Sequence, residues 1–153
     1  MIDLAKVSLR TASDGDRSFG YEVKKAAMRP YIEPVWGWDE VFQVEFHRND
    51  WAKQRPQIIA LDGRDIGTIE IVRSAAGFHL GEFCLFPAYQ RQGIGRHLMN
   101  APLRDADAAK LPVRLEVIKI NPVQSLYLRC GFVITGETKT HYLMERAPRI
   151  GTC

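Results

Sequence analysis

The sequence predicts an α/β fold built on a mixed, mostly antiparallel central sheet of about six or seven strands, flanked by about four helices. Three observations carry that expectation. Gln57 to Leu61, Ile66 to Val72 and Phe78 to Phe86 are apolar runs joined by short turns, the pattern of an antiparallel meander. Val113 to Ile120 alternates apolar and polar residues, as a half-buried strand does. Between them, Gly93 to Ala109 places Ile94, Leu98, Ala101 and Ala108 in helical phase.

Each element has its own local signal. Val7 to Arg10 is a short first strand. Ser13 or Asp14 caps a helix to about Met28, with Phe19, Val23, Ala26 and Ala27 on one face. Pro30 is expected to stop it, and Tyr31 to Asp39, with Pro34 and Gly37 as breakers, to be an aromatic loop. Asp39 caps a second helix, in which Val41, Phe42 and Phe46 fall near one face and His47 to Asp50 form a polar end. Asp62 to Asp65 is a hairpin turn, Gly67 weakens the returning strand, and Ser74 to Gly77 is the next turn. Pro102 removes a hydrogen bond to the Leu98 carbonyl, so the helix from Gly93 kinks there or breaks in two. Asn121-Pro122 opens a helix to about Cys130, and Gly131 sits where a helix takes its left-handed C′ residue. Phe132 to Glu137 and His141 to Glu145 are the last strands. Residues 1–147 read as one domain, with a short loose tail at 148–153.

Composition narrows the function classes. The 153 residues carry 46% hydrophobic and 25% charged side chains, ordinary for a globular protein. A net charge of +3, without a basic aromatic face, argues against a nucleic-acid partner. No run of about 18 apolar residues exists, so no membrane span is expected. Asp3 and Lys6 interrupt the N-terminal apolar residues, so no signal-peptide core is read there. Cys84, Cys130 and Cys153 are odd in number and lack paired spacing, which points away from disulfides and a metal site and towards a cytoplasmic location. Cys84 and Cys130 read as packing residues.

The richest stretch is Gln90-Arg91-Gln92-Gly93-Ile94-Gly95-Arg96, a glycine turn between a strand and a helix. Backbone N–H groups converge on phosphate oxygens at such junctions. A P-loop reading fails because Arg96, not lysine, follows Gly95, and a dinucleotide fingerprint fails because position 98 is leucine. The plain alternative is a tight corner with no ligand.

Gln90-x-x-Gly93-x-Gly95, after a strand ending in Phe86-Pro87, resembles the pyrophosphate loop of the GCN5-related N-acetyltransferase (GNAT) superfamily. A second block, Asn121-Pro122 through Leu126-Tyr127 to Gly131-Phe132, is similar to another segment of that family, in the same order and spacing. The resemblance implies a GNAT-like sheet with a splay between its fourth and fifth strands. It also implies acetyl-CoA as cosubstrate, acetyl transfer to a primary amine of a small molecule or peptide in a ternary complex, and no metal. Homodimers occur among relatives and are an open arrangement here. The rival reading is a non-catalytic acyl-CoA binding module.

By the same resemblance, the main chain of Phe83, Cys84 and Leu85 binds the pantetheine arm. Gln90, Arg91, Gln92, Gly93, Ile94, Gly95 and Arg96 hold the pyrophosphate, Asn121 contacts the arm, and Tyr127 is the general acid. Glu82 is the preferred general base, with Glu116, His79 or a water chain as alternatives. Strand alternation sets His79 and Glu82 on opposite faces. For the acceptor, Tyr31, Trp36 and Trp38 either wall a slot or pin the loop to the core, while Glu33, Asp39 or Glu40 attract the amine's charge. His141 and Tyr142 are further candidates to reach the site.

Overall fold

The computed structural model describes residues 2–149. They form strands β1 (Val7–Thr11), β2 (Gln57–Leu61), β3 (Arg64–Ser74), β4 (Gly77–Leu85), β5 (Val113–Ile118), β6 (Val133–Glu137) and β7 (His141–Arg146). The helices are α1 (Arg17–Trp36), α2 (Glu40–Lys53), α3 (Ile94–Ala109) and α4 (Gln124–Arg129). The strands lie in one sheet in the order β1-β2-β3-β4-β5-β7-β6. The pairs β1–β2, β2–β3, β5–β7 and β6–β7 are antiparallel. β4 and β5 are parallel, and their pairing spans only Phe78 with Val113 and His79 with Arg114. This is the expected mixed sheet with its splay after the fourth strand.

The chain divides into two compact units, residues 2–70 with 82–92 and residues 71–81 with 93–149. In the first, Ile58, Ile59, Ile66 and Ile69 are buried, and α1 turns Gly20, Val23 and Ala27 inward. Asp62 and Gly63 have φ of 51° and 80°, so the hairpin turns on two left-handed residues, and β3 starts at Arg64, two residues earlier than expected. Ile66 is then the extra residue of a bulge, because Ile59 pairs with Gly67 and Ala60 with Asp65.

Two expectations about the helices need correction. α1 does not stop at Pro30; it runs through Pro30 and Pro34 to Trp36, so most of the expected aromatic loop is helix. The prolines are four residues apart and both exposed, so they lie together on the solvent side of the helix. The helix ends at Gly37, whose φ of 77° suits glycine. In α2, Asp39 caps as expected, its Oδ1 accepting from the Phe42 N–H at 3.1 Å. The buried side, however, is Gln43, His47 and Trp51, while Val41 and Phe42 are 76% and 60% exposed. His47 lies inside because its Nε2–H donates to the Arg17 carbonyl at 2.9 Å, and burial pushes its pKa down, keeping the ring neutral. Gly20 allows α1 this close to α2: a β-carbon there would stand 2.5 Å from the Trp51 ring.

In the second unit α3 is unbroken through Pro102 and buries Ile94, Met99 and Ala106. β5 alternates as expected, with Val113, Leu115 and Val117 buried, but it ends at Ile118, and Ile120 is exposed. Arg146 is 2% exposed, and its guanidinium donates to both oxygens of Asp107 at 2.8 and 3.0 Å and to the Cys130 carbonyl. The Arg149 N–H also donates to Asp107, so the tail expected to be loose from Ala147 is tied to α3 at residue 149; residues 150–153 lie outside the described residues. The Arg146 bonds hold the Asp107 carboxyl below the usual carboxylate range. Their contribution is therefore complete above that range and is lost as pH falls through the depressed pKa. Asp107→Ala strands a buried guanidinium and is expected to cost about 3 kcal/mol in urea unfolding at pH 7, with a smaller difference from the parent at acid pH.

Candidate active site

The end of β4 is built by close approach to β3. A β-carbon on Gly67 would collide with the Cys84 carbonyl oxygen and press on Leu85, so only glycine lets the two strands lie this near. The glycine read as a weakness of β3 therefore seats Cys84 and Leu85, both buried. Phe83 is half-buried. The Phe86 N–H donates to the Ile66 carbonyl at 3.1 Å, and the chain leaves the strand through a 3-10 turn at Pro87–Tyr89.

The turn that follows is shaped by its own side chains. Gln90 Nε2 donates back to the Leu85 carbonyl at 2.9 Å, and Gln92 Nε2 to the Ala88 carbonyl at 2.7 Å. Both glutamine amides thus brace the turn. Arg91 is left-handed at φ 59°, a conformation that costs a non-glycine residue about 1 kcal/mol. Gly93 is left-handed at φ 86° and forms the N-cap of α3, with no side chain capping the helix. The first-turn N–H groups of Ile94, Gly95 and Arg96 therefore stand at an uncapped helix start, where the dipole favours anions. Arg91, Gln92, Gly93 and Arg96 are exposed.

Glu82 has an unusual setting. Burial pushes its carboxyl up to about 7; Asp50 and Glu70 add to the rise, and Lys24 and the Cys84 thiol oppose it. A carboxyl half protonated near neutrality accepts a proton readily there. Nothing in the sequence picks out Lys24, Asp50 and Glu70 as its neighbours, because they come from α1, α2 and β3.

In the second unit, two candidate bases form a pair. His79 Nε2 and Glu116 Oε2 are 2.7 Å apart and both exposed, with His79 on β4 and Glu116 on β5. Tyr127 is 5% exposed on α4 and meets the Phe132 ring edge-on at 5.8 Å. The backbone explains that contact. Gly131, at φ 95°, donates to the Leu128 carbonyl at 3.1 Å, and the Phe132 N–H donates to the Tyr127 carbonyl at 3.0 Å. These two bonds make a Schellman closure, which brings C3 and C″, here Tyr127 and Phe132, together. Asn121 is buried and its Oδ1 accepts from the Val123 N–H at 3.0 Å, an Asx turn ahead of α4. His141 bonds through Nδ1 to the Thr140 hydroxyl, and Tyr142 lies under Lys119.

The acids expected to attract the amine are engaged elsewhere. Glu40 accepts from Tyr21, Lys25 and Trp38 at 2.9, 2.7 and 2.6 Å, and these bonds hold it down at about 2. Glu33 pairs with Arg29 at 2.7 Å, and Asp39 caps α2. Trp38 is pinned between Glu40 and Arg29, whose guanidinium stands 5.5 Å from the ring, whereas Trp36 is 54% exposed.

The raised Glu82 carboxyl has a consequence for stability. Between the ordinary carboxylate range and about 7 the folded chain keeps a proton that the unfolded chain has lost, so stability falls as pH rises through that window. Glu82→Gln is expected to remove this slope. Its unfolding free energy in urea exceeds that of the parent by about 2 kcal/mol at pH 8 and by much less at pH 4.

Comparison with known proteins agrees with this architecture. The family model described as an acetyltransferase (GNAT) domain matches residues 22–142. Among solved structures, the PaiA N-acetyltransferase of Thermoplasma acidophilum, in complex with coenzyme A, superposes with a TM-score of 0.73 at 22% identity, covering 92% of this chain and 98% of that one. The ribosomal-protein-S18-alanine N-acetyltransferase of Escherichia coli gives 0.67 at 17% identity over 95% and 96%. The spermidine/spermine N-acetyltransferase SpeG of Vibrio cholerae, in mutant forms, gives 0.65 at 20% identity over 94% of each chain. At these identities the structures speak for the fold alone. A sequence comparison with curated proteins gives no match. The family match spans most of the chain, both motif blocks included, and on that ground the chain belongs to the GNAT family of acetyltransferases.

Proposed function

We propose that this chain transfers the acetyl group of acetyl-CoA to a primary amine, of a small molecule or a peptide, by direct attack in a ternary complex. The observation that carries this reading is the Glu82 carboxyl, poised at about 7. An alkylammonium with a pKa near ~10.4 must lose a proton before its nitrogen can attack. A base whose pKa lies near the working pH takes that proton most effectively. The CoA-bound relative and the uncapped start of α3 support acetyl-CoA as the donor.

The residues then take these roles. Main-chain N–H groups from Arg91 to Arg96, Gly93 and Gly95 among them, receive the pyrophosphate, with Arg91 and Arg96 adding charge. Gln90 and Gln92 hold the turn in shape through their bonds to Leu85 and Ala88. The main chain of Phe83, Cys84 and Leu85 binds the arm and polarises the thioester carbonyl. Asn121 spends its Oδ1 on Val123, which leaves its amide N–H groups to donate to the arm. Glu82 accepts the ammonium proton, the nitrogen bonds to the carbonyl carbon, the carbon–sulfur bond breaks as the Tyr127 hydroxyl protonates the departing thiolate, and the second proton of the attacking nitrogen passes through solvent to restore the Tyr127 phenol. Among the described residues Cys84 and Cys130 are free thiols, which fits a reducing cytoplasm.

A CoA-release assay against polyamines, aminoglycosides, amino acids and peptides with free N-termini tests this reading. Turnover with at least one amine and intersecting initial-velocity lines are expected. Parallel lines with an acetylated enzyme would overturn direct transfer, and CoA binding in calorimetry without turnover across the panel would turn the reading into an acyl-CoA binding module. For Tyr127→Phe, kcat is expected to fall about 100-fold while the KM for acetyl-CoA stays within about twofold. The parent's kcat/KM for the amine should rise with pH through an acid limb near 7, and Glu82→Gln should abolish that limb together with most of the turnover.

A further inference from the structure

One partly buried polar contact has no part in the chemistry above. Cys84 Sγ lies 3.7 Å from Glu82 Oε1, within reach of a sulfur hydrogen bond, and Cys84 is 2% exposed. The two residues are two apart on β4, so their side chains leave the same face of the strand. Chemistry decides which group holds the hydrogen. Burial and the neighbouring carboxyl push the Cys84 thiol well above its ordinary range, so it stays S–H wherever Glu82 titrates. An ionised carboxylate can only accept, so the thiol is the donor. On β3 the fully buried Thr68 hydroxyl, with no hydrogen bond of regular geometry, is a second polar group acting on that thiol. Glu82 Oε1 is thereby contacted from within the fold, and among the described residues no hydrogen bond to Oε2 is found.

We propose that Cys84 is a positioning residue for Glu82: its S–H, donated to Oε1, fixes the plane of the carboxyl so that Oε2 is the oxygen offered to the acceptor amine. The proposal rests on the reading of Glu82 as the base. It assigns a purpose to a side chain that the family resemblance uses only through its backbone, and it makes the thiol an adjustable hydrogen-bond donor. The other charged groups facing Glu82 are Lys24 from α1, which favours the carboxylate, and Asp50 from α2 and Glu70 from β3, which oppose it. Against that fixed background, removing the donor raises the carboxyl's midpoint and a stronger donor lowers it.

The test compares the parent chain with Cys84→Ala and Cys84→Ser, each labelled with carbon-13 at the glutamate carboxyl. The Glu82 signal is identified by its loss in Glu82→Gln. The midpoint is expected to rise by about half a pH unit in Cys84→Ala and to fall by a similar amount in Cys84→Ser. The acid limb of kcat/KM, measured by CoA release with spermine and with an alanine-terminated peptide, should move in the same order. Serine is nearly isosteric with cysteine, so an effect of packing alone would leave its midpoint at the parent value. Midpoints unchanged in both variants would overturn the proposal, as would a limb that fails to follow the carboxyl. Glu82→Gln turning over like the parent would instead remove the base reading, while the titration would still report whether the thiol holds the carboxyl.

Discussion

A single parallel pairing organises this chain. Antiparallel neighbours can be joined by tight turns, but parallel neighbours require the chain to travel back along the sheet before the next strand begins. β4 and β5 are the one parallel pair among the described strands, and α3 is the crossover between them. The chain must therefore leave the end of β4, reverse, and start a helix, and the glycine turn from Gln90 to Arg96 carries out that reversal. The left-handed Arg91 and Gly93 make the reversal possible. The same geometry leaves the N–H groups of a helix start uncapped, where the helix dipole favours anions.

The second motif block has an equally mechanical basis. Asn121 closes an Asx turn, a helix of six residues follows, and Gly131 and Phe132 close its far end. A Schellman closure brings the side chains at C3 and C″ together, which is why Tyr127, Gly131 and Phe132 stand at this spacing. Tyr127 is held by backbone bonds at one end and an aromatic edge at the other, which fixes its position on α4. The Arg146–Asp107 pair ties β7 and the following residues to α3 in the same unit.

Electrostatics separate the acids engaged by structural partners from the one acid whose carboxyl is raised. Glu40 gathers three donors and clamps α1 to the start of α2, Glu33 is matched by Arg29, and Asp39 caps a helix. Each is committed to a partner within the fold. Glu82 has the opposite balance: burial outweighs the help of Lys24 and Cys84, and its carboxyl is pushed up to about 7.

Local patterns were enough for much of this. Strand periodicity over Gln57 to Leu61 and Val113 to Ile118, the Asp39 cap, and the glycines at 93 and 131 could be read directly, because each depends on a few adjacent residues and a fixed backbone geometry. The order of strands and helices and the family resemblance rested on the same signals. What tertiary structure alone decided depends on groups distant in sequence. α1 continues through two prolines that both lie on its exposed side. The inward side of α2 is polar because the Arg17 carbonyl receives His47 and Gly20 makes room for Trp51. His79 and Glu116 become one pair only through the β4–β5 register. The carboxyl of Glu82 is raised by burial, with Asp50 of α2 and Glu70 of β3 adding to the rise, and no local stretch of sequence records how deeply a side chain will be enclosed.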